Sequence, residues 1–132
     1  MPYTVTFSAD GTGFLFTASG LLEADDLLME ARRRQQDSSR TRQLRYALID
    51  LAAVTEFRVS TRDLRHLAAE NRQTAALMPA AHVAFVAPAI HIYGLVRMWE
   101  VFAEQTGWVM EVFRDRATAA EWLRRQGSAV ED

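Results

Sequence analysis

The stretch Tyr46-Ala-Leu-Ile-Asp-Leu-Ala-Ala-Val54 constrains the fold more than any other part of the chain. Its apolar residues are consecutive, the pattern of a strand buried on both faces, and strand formers dominate it. A strand around Ala47 to Leu51 is therefore central in its sheet, and it ends beside one acid, Asp50. After Phe57, Val59-Ser-Thr-Arg-Asp63 opens a helix.

The flanking segments continue this alternation. Tyr3 to Phe7 and Phe14-Leu-Phe16, joined through Asp10-Gly-Thr-Gly13, predict a hairpin whose second strand Ser19-Gly20 breaks. Glu23 to Gln36 carries Ala24, Leu27, Leu28 and Ala31 at helical spacing, with acids in the first turn and arginines in the last. A polar connection, Asp37 to Arg42, leads into the central strand. Thr61 to Leu77 predicts a second helix with Leu64, Leu67, Ala68, Asn71 and Ala75 inward, and Val83 to Ala87 a further strand. Pro88 and Gly94 bracket a loop before a third helix containing Val96, Trp99 and Phe102, which ends at Gly107. Trp108 to Phe113 is a last strand, and Asp115 caps a last helix. The reading is an α/β fold: one mixed sheet of about five strands, an N-terminal hairpin followed by alternating strands and helices, packed with about four helices. One domain spans residues 1–126, followed by a flexible C-terminal tail, 127–132.

A chain of 132 residues is long enough to bury a single core. Without cysteine it has neither disulfides nor a thiolate metal site, and its three histidines are widely spaced, so no metal and no cofactor are expected. The formal charge of -2 argues against nucleic acid as a partner. No apolar run is long enough for a transmembrane segment and no signal core opens the chain, so a cytoplasmic location is the default. All fifteen positive side chains are arginine, scattered over helices and loops. Those from Arg32 to Arg45 read as a solvated helix end.

The element order resembles the STAS domains, the fold of bacterial anti-sigma factor antagonists, and the small stand-alone bacterial proteins of STAS or CRAL-TRIO-like fold. Leu48-Ile-Asp-Leu-Ala-Ala-Val54, Ser60-Thr61 at the next helix, Ala84-Phe-Val-Ala-Pro88, Tyr93-Gly-Leu-Val-Arg-Met98 and Val112-Phe-Arg-Asp115 carry the resemblance, which covers nearly the whole chain. It implies a noncatalytic regulatory or protein-interaction module, working through a protein partner or as a homodimer, with Ser60 near the family's phosphorylated serine. Where phosphorylation-switched antagonists carry an Asp-Ser-Ser-Gly-like motif, this chain reads Arg58-Val-Ser-Thr-Arg62.

In such sheets the loops leaving the carboxyl ends of parallel strands gather at one edge, where ligands bind. That edge collects Asp50, Arg58, Arg62, His91, Tyr93, Arg97 and Arg114 as a ligand or partner rim, and Ser60 and Thr61 as phosphorylation positions. Ser60 with Asp63 fits a capping box; a phosphate there would also sit at a positive helix end between Arg58 and Arg62. Asp50 fits an acceptor for amides of its own loop better than a general base, since spacing identifies no partner for it. Tyr93 and Arg97, one helical turn apart, suit an anion, or else Tyr93 covers the core and Arg97 pairs with Asp50 or Glu100. Met98, Trp99, Phe102 and Trp108 supply more apolar surface than one helix buries. This motivates an alternative function, a carrier of a small apolar or lipid-like ligand.

Overall fold

The computed structural model describes residues 2–130. Five strands, β1 (Tyr3–Phe7), β2 (Gly13–Glu23), β3 (Tyr46–Arg58), β4 (His82–Val86) and β5 (Val109–Phe113), form one sheet in sequence order. The β1–β2 pair is antiparallel and the other three pairs are parallel. Around the sheet lie α1 (Ala24–Gln36), the short α2 (Ser38–Thr41), α3 (Thr61–Ala75), α4 (Ile90–Phe102) and α5 (Arg116–Arg125).

The central strand divides its side chains between two cores. Ala47 and Leu51 join the larger one, shared with Leu27 of α1, Leu64 and Leu67 of α3, and Val96 and Trp99 of α4. Tyr46 and Leu48 face the other way, against Ala119, Ala120 and Leu123 of α5. A strand with an apolar layer on each face must be apolar at consecutive positions, which is why the run around Leu48 shows no alternation. On α3, Leu64, Leu67, Ala68, Asn71 and Ala75 are all buried, as their spacing predicts.

The structure adds local detail that the sequence pattern does not reveal. First, β2 does not stop at Ser19-Gly20 but runs on to Glu23, paired with β3 as far as Arg58. The β2–β3 register slips between Thr17 and Ser19 and again between Gly20 and Leu21, so β3 carries bulges and Gly20 takes φ +68°. Bulges break the two-residue alternation that marks a strand, and glycine supplies the left-handed conformation. Secondly, the polar connection contains a helical turn, α2, which raises the helix count among the described residues to five. Its Thr41 is buried and donates from Oγ1 to the Arg34 carbonyl at 2.5 Å. Thirdly, Gly94 lies within α4, which starts at Ile90 and ends at Phe102; a 3₁₀ turn, Glu104–Thr106, then leads to the left-handed Gly107. Fourthly, residues 127–130 are packed. Tyr46 Oη donates to the Ala129 carbonyl at 3.1 Å, Arg124 Nε donates to the Val130 carbonyl at 3.2 Å, and Val130 is buried against α5. Residues 131 and 132 lie outside the described ones.

Among the described residues no helix is long and apolar enough to cross a membrane. The arginines from Arg32 to Arg45 are largely committed to local structure. Arg32 Nε bonds Glu70 at 3.0 Å, Arg40 stacks on Phe7 at 4.0 Å, and Arg45 donates to the carbonyls of Arg42 and Leu44.

Candidate functional site

The entrance to α3 is built by a capping box. Ser60 holds extended backbone angles, its Oγ accepts from the Asp63 amide at 3.1 Å, and Asp63 Oδ2 accepts from the Ser60 amide at 2.9 Å. The Ser60 amide, and after it the Ser60 hydroxyl, hold the Asp63 carboxyl below the usual carboxylate range. Ser60, Thr61 and Arg62 are exposed. Thr61 Oγ1 lies 3.7 Å from Met98 Sδ, joining the entrance to the middle of α4, and exposed Arg58 pairs with Glu56 at 3.1 Å.

The remaining rim residues stand on other elements. Thr61 contacts Met98, Arg65 lies over the Phe102 ring, and Arg72 bonds Gln105, so α3 and α4 run side by side in one direction. With the first turn of α3 beside the middle of α4, the turn carrying His91 and Tyr93 projects past it. Tyr93 is half-buried against the larger core and meets the Arg114 guanidinium at 5.4 Å, while His91 is exposed. Among the described residues no hydrogen bond, ion pair or ring contact joins Ser60 or Thr61 to His91, Tyr93 or Arg114. The α3 entrance and the Tyr93–Arg114 pair are thus not in direct contact, and Met98, which touches Thr61, stands on the same helix as Tyr93.

Asp50 serves the sheet. Its Oδ1 accepts from the Ala52 amide at 3.0 Å, inside the first bulge of β3, and its Oδ2 pairs with Arg116 at 2.9 Å. Arg116 opens α5, so the pair ties the bulge to the helix on the smaller core; sequence reasoning missed this arginine, although it stands one residue past the cap Asp115. With both oxygens engaged and the residue buried, Asp50→Ala is expected to destabilise the fold by about 1–3 kcal/mol in chemical denaturation. A loss inside experimental error would show that the bulge does not need the carboxylate.

Arg97 pairs with Glu100 at 3.5 Å rather than with Asp50. Burial pushes the Glu100 carboxyl up; Arg97 opposes this and Glu111 adds to it. An acid raised in the folded state binds its proton more tightly there than when unfolded, so its charge is a penalty above the folded pKa that fades as pH falls to the unfolded value. Glu100→Gln is therefore expected to raise Tm relative to the parent at pH 7–8, with the difference shrinking toward pH 4. A difference that grows on acidification would contradict the burial argument.

Among the described residues no three of His, Asp and Glu converge as metal ligands. The unphosphorylated form of the anti-sigma factor antagonist SpoIIAA superposes on the chain with a TM-score of 0.58, covering 96% of this chain and 99% of SpoIIAA at 10% sequence identity. The chain has a SpoIIAA-like, STAS-type fold. An uncharacterized protein of the DUF3478 family from Shewanella loihica PV-4, itself with a SpoIIAA-like fold, superposes with a TM-score of 0.56 over 92% of this chain and 91% of its own at 18% identity. At such identities the likeness to SpoIIAA is one of fold. No protein family description matches the sequence, and no curated protein does.

Proposed function

We propose that the chain is a noncatalytic regulatory module of the anti-sigma factor antagonist type, which docks a partner protein through the α3 entrance and is modulated by phosphorylation of Ser60 or Thr61. The observation that supports this reading is the SpoIIAA-like fold over 96% of the chain, combined with two exposed hydroxyls at the start of α3. The entrance offers Arg58, Arg62 and the part-exposed Met98, which suit a partner surface that is acidic with an apolar centre. A phosphate would add about -1.5 to -2 charges there, held by the helix N-terminus and the neighbouring guanidinium of Arg62, and would repel the same acidic partner. On Ser60 it would also have to replace the cap, worth about 1 kcal/mol, so Thr61 is the less costly position. The engagement of Asp50 by Arg116 and the Ala52 amide supports a structural role for the strand acid.

Mass spectrometry of the protein purified from its native host is expected to find phosphate on the peptide carrying Ser60 and Thr61 in at least one growth condition. Unmodified peptide under all conditions would remove the switch from this reading.

A further inference from the structure

Between the sheet and the helices of the larger core lies an apolar cavity of about 90 Å³, walled by Phe14, Phe85, Trp99, Trp108 and Met110. Two charged side chains also line it, Glu30 and Arg34 of α1. Their side chains are only 6% and 12% exposed, and their ion pair is 3.5 Å long, beyond a well-made hydrogen bond. Glu30 Oε2 and Arg34 Nε and Nη1 are buried without hydrogen-bond partners among the described residues. The Arg34 guanidinium lies 5.1 Å from the Phe7 ring centre and 5.2 Å from that of Phe14, so aromatic rings occupy the space where water would otherwise solvate it. Buried polar atoms left unpaired are costly and are normally satisfied by something.

We propose that this cavity is a binding site for a small uncharged amphipathic molecule, its apolar body among Phe85, Trp99 and Met110 and a hydroxyl or amide head between Glu30 and Arg34. The head must both accept, from the Arg34 N–H groups, and donate, to Glu30 Oε2. A hydroxyl or an amide does both. A charged head fits worse: an anion would face Glu30, a cation would face Arg34, and Arg33, 3.6 Å from Glu30, completes a cluster already supplied with charge of both signs. An apolar cavity of about 150 Å³ holds benzene, so this one takes a body of roughly four carbons, with longer chains extending through the mouth. The site stands independently of partner docking at the α3 entrance.

The cavity contains its own reporters. Trp99 Nε1 donates to Asn71 Oδ1 at 2.8 Å and Trp108 Nε1 to the Met78 carbonyl at 3.0 Å, whereas Trp122 packs on the opposite face of the sheet. Titrating the ¹⁵N-labelled protein with 1-pentanol is expected to give saturable shifts of the Trp99 and Trp108 indole signals and none at Trp122. Pentanoate and pentylammonium should bind at least about tenfold more weakly than 1-pentanol, as should 1-pentanol to Arg34→Met. Absence of saturable shifts in the parent, equal shifts at all three indoles, or charged analogues binding as tightly as the alcohol would each overturn the assignment. The comparison of alcohol with charged analogues uses the parent protein alone, so it holds even if the variant does not fold.

Discussion

Phe85→Ala is expected to lower the unfolding free energy by about 3–5 kcal/mol, the range for emptying a buried aromatic position. Phe85 is 1% exposed near the end of β4, between Ile49 of β3 and Val112 of β5, and its ring centre lies 5.1 Å from that of Trp99. The side chain thus joins the sheet to α4, and the packed helix layer above it cannot collapse into the space left behind. In urea the midpoint should fall with little change of slope, because the folded state remains compact. A loss below about 1 kcal/mol would mean that the sheet and α4 are not packed through this ring.

The second large effect comes from adding one methyl group. Gly13 stands opposite Tyr46 at the start of β2, and a Cβ there would lie 2.2 Å from both Cζ and Oη of the tyrosine. The ring cannot simply swing away, because Tyr46 is 1% exposed and its hydroxyl bonds the Ala129 carbonyl. Gly13→Ala is therefore expected to cost about 1–3 kcal/mol by overpacking, and to release the segment 127–130 that the tyrosine anchors. Tyr46→Leu removes the colliding atoms. In the double variant the cost of the alanine should largely disappear, so the two substitutions should be far from additive. Additive losses would contradict the close approach.

Much of this architecture is legible in the sequence because local chemistry and tertiary role coincide. The consecutive apolar residues around Leu48 are needed by a strand between two cores. Ser60 with Asp63 and Asp115 with the Thr118 amide cap their helices by contacts only three residues long, so spacing alone reveals them. The same is true of Asp50 and the Ala52 amide. What remained hidden depends on partners far along the chain. Ser19-Gly20 looks like the end of a strand, and only pairing with Ala53 and Val54 carries β2 through it. Gly94 carries the local cost of glycine in a helix, yet α4 is held by Ile92, Val96 and Trp99 in the core. The segment ending at Val130 reads as polar and loose until the hydroxyl of Tyr46, 83 residues away, is brought to it.

If the α3 entrance is a partner-binding surface sensitive to negative charge, quantitative affinity capture from the native host should reveal it, with the parent, Thr61→Glu and Arg62→Glu chains as baits. All three leave the Ser60–Asp63 cap in place, and equal melting temperatures would confirm comparable folding. The expected result is one or more acidic proteins retained by the parent and lost, or reduced several-fold, with both charge-altered baits. Identical captured sets from all three would contradict the claim.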